Sequence, residues 1–107
     1  MEIFWLSQKF PKEETYSLTD QIRRSSRSVA AQISEAWESR IYEALFISKM
    51  VDSAREASET KNWLLFAKAC CYLAPEKADE LLEAYDAILK TTRAMIKHSA
   101  DWCKNPN

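Results

Sequence analysis

The sequence predicts an all-α protein, an antiparallel up-down four-helix bundle with a short first helix and a long third helix. Three observations lead there. No glycine occurs in 107 residues, and glycine supplies most of the positive-φ positions that tight β-turns demand. Only three prolines interrupt the chain, and long runs of Ala, Glu, Lys, Leu and Arg lie between them. Within those runs apolar residues recur at helical spacings of three, four and seven.

The first helix is read over Glu2–Lys9, about two turns carrying Ile3, Phe4, Trp5 and Leu6. It ends before Phe10-Pro11 because a residue preceding proline avoids the α region. "PKEETY" is a polar connection. Ser17 then reads as the N-cap of the second helix, with Asp20 at the third helical position in a capping-box-like arrangement. Leu18, Ile22, Val29, Ile33 and Trp37 form one stripe, with Ser25, Ser26, Ala30 and Ala36 filling the same side. Arg23, Arg24 and Arg27 fall opposite, and Asp20 stands one turn before Arg24, oriented for a weak ion pair.

From Ile41 the pattern meets no breaker until Pro75. Leu45, Phe46, Met50, Val51, Ala54, Ala57, Leu64, Leu65, Phe66 and Cys70 make a long stripe with a small, polar middle, "DSAREASETK". Some thirty residues at ~1.5 Å each give a rod of about 45 Å. Pro75 suits the first position of the last helix. That helix carries Ala78, Leu81, Leu82, Tyr85, Ile88, Leu89, Met95 and Ile96 on one face. Its acidic first half and basic second half complement the helix dipole. Residues 101–107 read as a frayed tail, and 1–107 as one domain, long enough to bury a core without metal or disulfide.

A first helix of about 14 Å beside a third of about 45 Å leaves much of the long helix uncovered within one chain. Self-association is the expected remedy, since monomers rarely tolerate large apolar patches. Trp5, Phe46 and Trp63 are the expected contacts between subunits.

Composition excludes several functions. The net charge is −1 and the pI about 5.9, so no global field draws nucleic acid or anionic membrane. Three cysteines without a C-x-x-C pair suit reduced, packed thiols in a cytoplasm. "MEIFWLSQKF" is too short for a signal peptide and carries Glu2 too early, and no apolar run approaches a membrane span. The expectation is a soluble, cytoplasmic protein that does not engage membranes.

"FPKEE" (Phe10–Glu14), "SLTDQIRRSSRSVAA" (Ser17–Ala31), "ASETKNWL" (Ala57–Leu64) and "MIKHSADWC" (Met95–Cys103) resemble the four-helix-bundle family of bacterial rRNA intervening-sequence proteins. Some of these are encoded within insertions in large-subunit rRNA genes. The similarity covers Phe10 to Cys103. It implies an antiparallel bundle that assembles as a ring, typically a pentamer. A relative is the accessory protein of diversity-generating retroelements, a basic pentameric barrel that binds nucleic acid and a reverse transcriptase. No catalytic residues come with the resemblance. Here the first helix is about half the family's length. "AQISEAW" replaces the family's "ANIAEGW", and glycines expected near Ala36, Arg55 and Cys71 are absent.

Arg23, Arg24 and Arg27 therefore have two readings, a solvated helix face or a phosphate-contacting surface for RNA or DNA that ring symmetry would multiply. The polar centre of the third helix reads as hydrogen-bonded packing, and a buried Glu56 or Glu59 would look to the arginines of the second helix for a partner. A di-iron bundle needs Glu-x-x-His motifs on two helices, and His98 is the only histidine. It also leaves Cys70, Cys71 and Cys103 without the second histidine expected for nucleophilic work, and no glycine cradles a phosphate. Neither metal nor cofactor is expected. The sequence thus reads as a non-enzymatic, self-associating scaffold or adaptor. The alternative is a nucleic-acid-binding accessory subunit, with a reverse transcriptase as a further partner.

Overall fold

The computed structural model describes residues 2–103. Five helices follow one another: α1 (Glu2–Ser7), α2 (Asp20–Glu38), α3 (Glu43–Ala69), α4 (Pro75–Lys97) and α5 (Ser99–Trp102), with no strand among the described residues. The expected tail overlaps α5 at Asp101 and Trp102; residues 104–107 lie outside the described part.

α2 begins earlier than its sequence suggests. A 3-10 turn, Lys12–Glu14, and a π-turn, Thr15–Thr19, run into it without a break, and Thr19 already has helical angles (φ −60°, ψ −48°). Ser17 is therefore not an N-cap. It sits inside the π-turn, where its hydroxyl donates to Glu14 Oε1 at 2.5 Å. The break lies at Pro11, held extended at φ −56°, ψ 146°. Proline lacks an N–H and fixes its own φ, so it serves as a natural start for the coil of helix that follows.

The expected mismatch between a short first helix and a long third one is present, six residues against 27, but the earlier start of α2 covers more of α3 than expected. The helical stretch from Lys12 to Glu38 matches the 27 residues of α3, and α4 has 23. α3 lies between α2 and α4, antiparallel to both. Along α2 and α3 the pairs Glu35–Lys49, Val29–Ser53 and Ser25–Thr60 run in opposite directions. Asp79–Lys68 and Asp86–Lys61 do the same along α4 and α3. The longest helix is thus flanked on two sides by its own chain, in a molecule 54 × 24 × 17 Å. Three long antiparallel helices make the body. α1, of six residues, covers only one end of the groove between α2 and α4.

The core falls into three clusters along the rod. At the α1 end Ile3, Phe10, Leu18, Ile22, Leu64, Leu73 and Leu81 pack together. At the other end Ala36, Phe46 and Met50 do so, with Met95 and Ile96 against them. Phe46 is wholly buried, so it has no surface left for a contact between subunits; its removal would cost about 3–5 kcal/mol of folding energy. Between these clusters the core narrows to Val29, Ala57 and Leu89 and is polar. Ser53 Oγ donates to the Val29 carbonyl at 3.0 Å, and Thr60 Oγ1 lies 2.8 Å from Ser25 Oγ. All three hydroxyl residues are buried. These small side chains let α2 and α3 approach closely while each of these three hydroxyls keeps a partner, which removes the penalty of an orphaned polar group.

Both turns of the body manage without glycine. α2 stops at Glu38 with Ser39 at φ −99°, ψ 16°; its N–H reaches the Glu35 and Ala36 carbonyls at 3.1 Å each. Arg40 closes the turn, its Nε donating to the Trp37 carbonyl at 2.8 Å while its guanidinium lies 3.5 Å above the Trp37 ring. After α3, Tyr72 N–H bonds the Ala67 carbonyl and Cys71 N–H the Lys68 carbonyl, the paired bonds of a Schellman stop. That stop needs a left-handed residue. Cys71 fills it at φ +62°, the only non-glycine residue with positive φ among those described. A Cβ in this conformation is costly. Cys71→Gly is expected to raise unfolding stability by about 1 kcal/mol, measured by urea denaturation; an unchanged or lower midpoint would contradict the assignment.

Candidate interaction surfaces

The three arginines of α2 do not act together. Arg23 and Arg27 reach α1, where their guanidinium carbons stand 4.6 and 5.7 Å from the centroid of the Phe4 ring. Arg23 Nε also donates to Ser7 Oγ at 2.7 Å. Their first task is to hold the six-residue α1 in place, through cation–π attraction of about 0.5–1 kcal/mol each at such sites. Arg24 is exposed, and the expected Asp20–Arg24 ion pair is not formed among the described residues. The face bearing Asp20, Arg23, Arg24, Arg27 and Ser28 is one side of a single helix, with no second wall.

Between α2 and α3 lies a polar groove of about 430 Å³, lined by Gln21, Arg24, Ser25, Ser28, Arg55, Glu56 and Glu59. Partial burial pushes the Glu56 carboxyl above its ordinary value, and the Glu59 charge adds to the rise, while Arg55 and Arg24 oppose it. Of the α2 arginines, Arg24 thus acts on Glu56, through the field alone. Arg55 spends its direct contact on Asp52, at 3.1 Å.

The turn that ends α3 is tied to the chain's N-terminal segment. Tyr72 stacks beside Phe10, ring centroids 5.7 Å apart, and its hydroxyl donates to Glu14 Oε2 at 2.9 Å. The hydrogen bonds from Ser17 and then Tyr72 hold the Glu14 carboxyl below its ordinary value. The Glu14 carboxylate, followed by burial, pushes the Tyr72 phenol up to about 12. Glu14 binds its proton less readily when folded, so its contribution is complete above the ordinary carboxylate value and fades as pH falls through the lowered one. Tyr72 holds its proton more tightly when folded, so its contribution is complete below pH 10 and is lost as pH rises toward about 12. Tyr72→Phe is expected to flatten the fall of melting temperature across that alkaline window; an unchanged profile would contradict the contact.

Apolar surface remains on the outside of the body. Val51, Leu65 and Phe66 of α3 are 46%, 49% and 49% exposed. Near the α2–α3 turn Ile41, Tyr42 and Leu45 are exposed, and so are Trp37 and Trp102, whose rings meet edge-on at 6.2 Å. Ile33 and Trp37, expected in the seam, stand open where the short α1 leaves the α2–α4 groove uncovered. Leu65 is likewise outside. Trp5 is largely exposed. Trp63 is half-buried against the first core cluster, with its indole N–H buried and unpaired. Cys70 and Cys71, expected to pack, are exposed, and Cys103 is intermediate; burial raises the Cys103 thiol above its usual value.

Sequence reasoning missed the Phe4 clamp and the Tyr72–Glu14 bond. The clamp's partners lie 19 and 23 positions apart and the bond's 58, and no local spacing announces them. Arg40 beside Trp37 was the one such contact with a short-range signal, a cation three residues after an aromatic at a helix end.

Among the described residues no group of three His, Cys, Asp or Glu side chains is placed to hold a metal ion. Nor, among those residues, is any helix long and apolar enough to cross a membrane. What the fold presents is a class of protein: an all-α bundle whose outward features are apolar faces and charged helix rows. The chain belongs to the 23S rRNA-intervening sequence protein family, whose family model matches residues 1–94. Comparison with curated proteins and with solved structures gave no match.

Proposed function

We propose that this chain is a non-enzymatic, cytoplasmic scaffold or adaptor whose copies associate into a ring, a pentamer as its family resemblance implies. The observation that carries this reading is the exposed apolar surface of α3, which at Leu65 borders the groove shared with α4. Val51, Leu65 and Phe66 are each about half exposed there. Covering a half-exposed Leu or Phe side chain gains about 1 kcal/mol, and ring symmetry repeats that gain at every junction. Trp5, exposed on α1, is a second candidate contact, and Trp63 presents the remaining edge of its ring. Light scattering of the intact protein is expected to give a mass of several chains. Leu65→Ser/Phe66→Ser is expected to lower that mass with helicity unchanged; a wild-type mass of one chain at micromolar concentration would overturn the reading.

The second reading is a nucleic-acid-binding accessory subunit, serving RNA or DNA and with them a reverse transcriptase. The exposed guanidinium of Arg24, beside Arg27 and Arg23, favours it. Each phosphate neutralised steepens the salt dependence of binding. On this reading, oligonucleotide affinity falls steeply with salt, and Arg23→Ala/Arg24→Ala/Arg27→Ala flattens the slope. Undetectable binding at low salt removes it.

A further inference from the structure

α4 carries two rows of charge, and only one is used. The row toward α3 is satisfied at its acidic end, Asp79 on Lys68 and Asp86 on Lys61. The other row, one residue in every seven, is Glu76, Glu83, Lys90 and Lys97. All four are exposed, and none is in an ion pair among the described residues. The row reads minus, minus, plus, plus.

Such an order is complementary to itself in one arrangement. If a second α4 lies antiparallel, related by a two-fold axis near Ala87, Glu76 faces Lys97 and Glu83 faces Lys90, and symmetry repeats both pairs. A parallel mate would set like charges opposite each other. A slip by one heptad would bring Glu83 against its own copy. Charge rows flanking a helix seam fix orientation and register in this way. The seam beside the row is compatible with close approach. Ala84, Ala87, Thr91 and Ala94 are exposed at steps of three, four and three, and small side chains bring helix axes toward the lower end of the usual 8–10 Å.

We infer that the outer face of α4 is a two-fold docking surface for the α4 of a second copy of this chain, its register set by Glu76, Glu83, Lys90 and Lys97. The inference rests on the self-association proposed above and adds a contact on α4 that adjoins the α3 face, since Lys90 and Leu65 line one groove. A two-fold contact doubles whatever assembly the other contacts build. Surface ion pairs contribute little energy singly, so they serve here as the selector of partner and direction, and salt weakens the contact.

Two variants of the full chain test it, Glu76→Lys/Glu83→Lys, whose row is all positive, and Lys90→Glu/Lys97→Glu, whose row is all negative. Circular dichroism establishes that each keeps its helicity. In low-salt sedimentation each variant alone is expected at half the wild-type mass, and an equimolar mixture is expected to return to the full mass. Either variant holding the wild-type mass alone overturns the inference, and so does a mixture that stays at half. An unrelated helical partner would give those contrary results. If these variants keep the wild-type mass while Leu65→Ser/Phe66→Ser loses it, the scaffold reading stands and the two-fold contact falls. If mass is lost and recovered here while Leu65→Ser/Phe66→Ser has no effect, the two-fold contact stands and the outer face of α3 is not an interface.

Discussion

The close approach of α2 to α3 at mid-rod is the constraint on which the rest of the fold depends. Two long helices can stay in register over their whole length only if nothing bulky pries them apart. At their middle the facing residues are Ser25, Val29, Ser53, Ala57 and Thr60, all buried. Large side chains gather at the two ends, around Ile22 and Leu64 on one side and around Phe46 and Met50 on the other. Hydroxyls in a narrow core are tolerable because each bonds across the seam or to its own helix. They also give the pair a preferred register, since a slip of one turn would strand Ser53 and Thr60 away from their partners and leave buried donors unmet.

From that seam follows what the described helices leave uncovered. With α3 flanked by α2 and by α4, a fourth long helix would fill the groove between α2 and α4. α1 is six residues long and fills only its end, held there by Arg23, Arg27 and the Glu2–Lys77 bridge at 3.4 Å. Ile33 and Trp37 are left at the surface, and the outer sides of α3 and α4 face solvent with an apolar face on one and idle charges on the other. In this chain the exposed apolar side chains and unpaired charges lie on the outside of the rods. That is where partners, including copies of the same chain, would be recognised.

Periodicity made the helical class, the order of elements and the start of α4 at Pro75 legible in the sequence. It misplaced the start of α2, because Ser17 resembles a cap and the π-turn that absorbs it has no spacing signature. The short first helix beside a long third was legible, and α1 has six residues against 27 in α3; how far α2 and α4 flank α3 was not, because the start of α2 was placed too late. Exposure was also hard to read on α3. Its apolar residues lie on opposite sides, so no single stripe separates buried Phe46 and Leu64 from exposed Val51 and Leu65. The arginines looked like one patch because local spacing shows which face they share and says nothing of Phe4, which two of them meet from another helix.

The most direct test of the seam is a double-mutant cycle in urea denaturation on Ser25→Ala and Thr60→Val. Their oxygens stand 2.8 Å apart, and a buried hydrogen bond of this kind predicts a coupling of about 0.5–1.5 kcal/mol. Additive losses with no coupling would show that the two hydroxyls do not hold α2 against α3, and the account of the fold would fail with them.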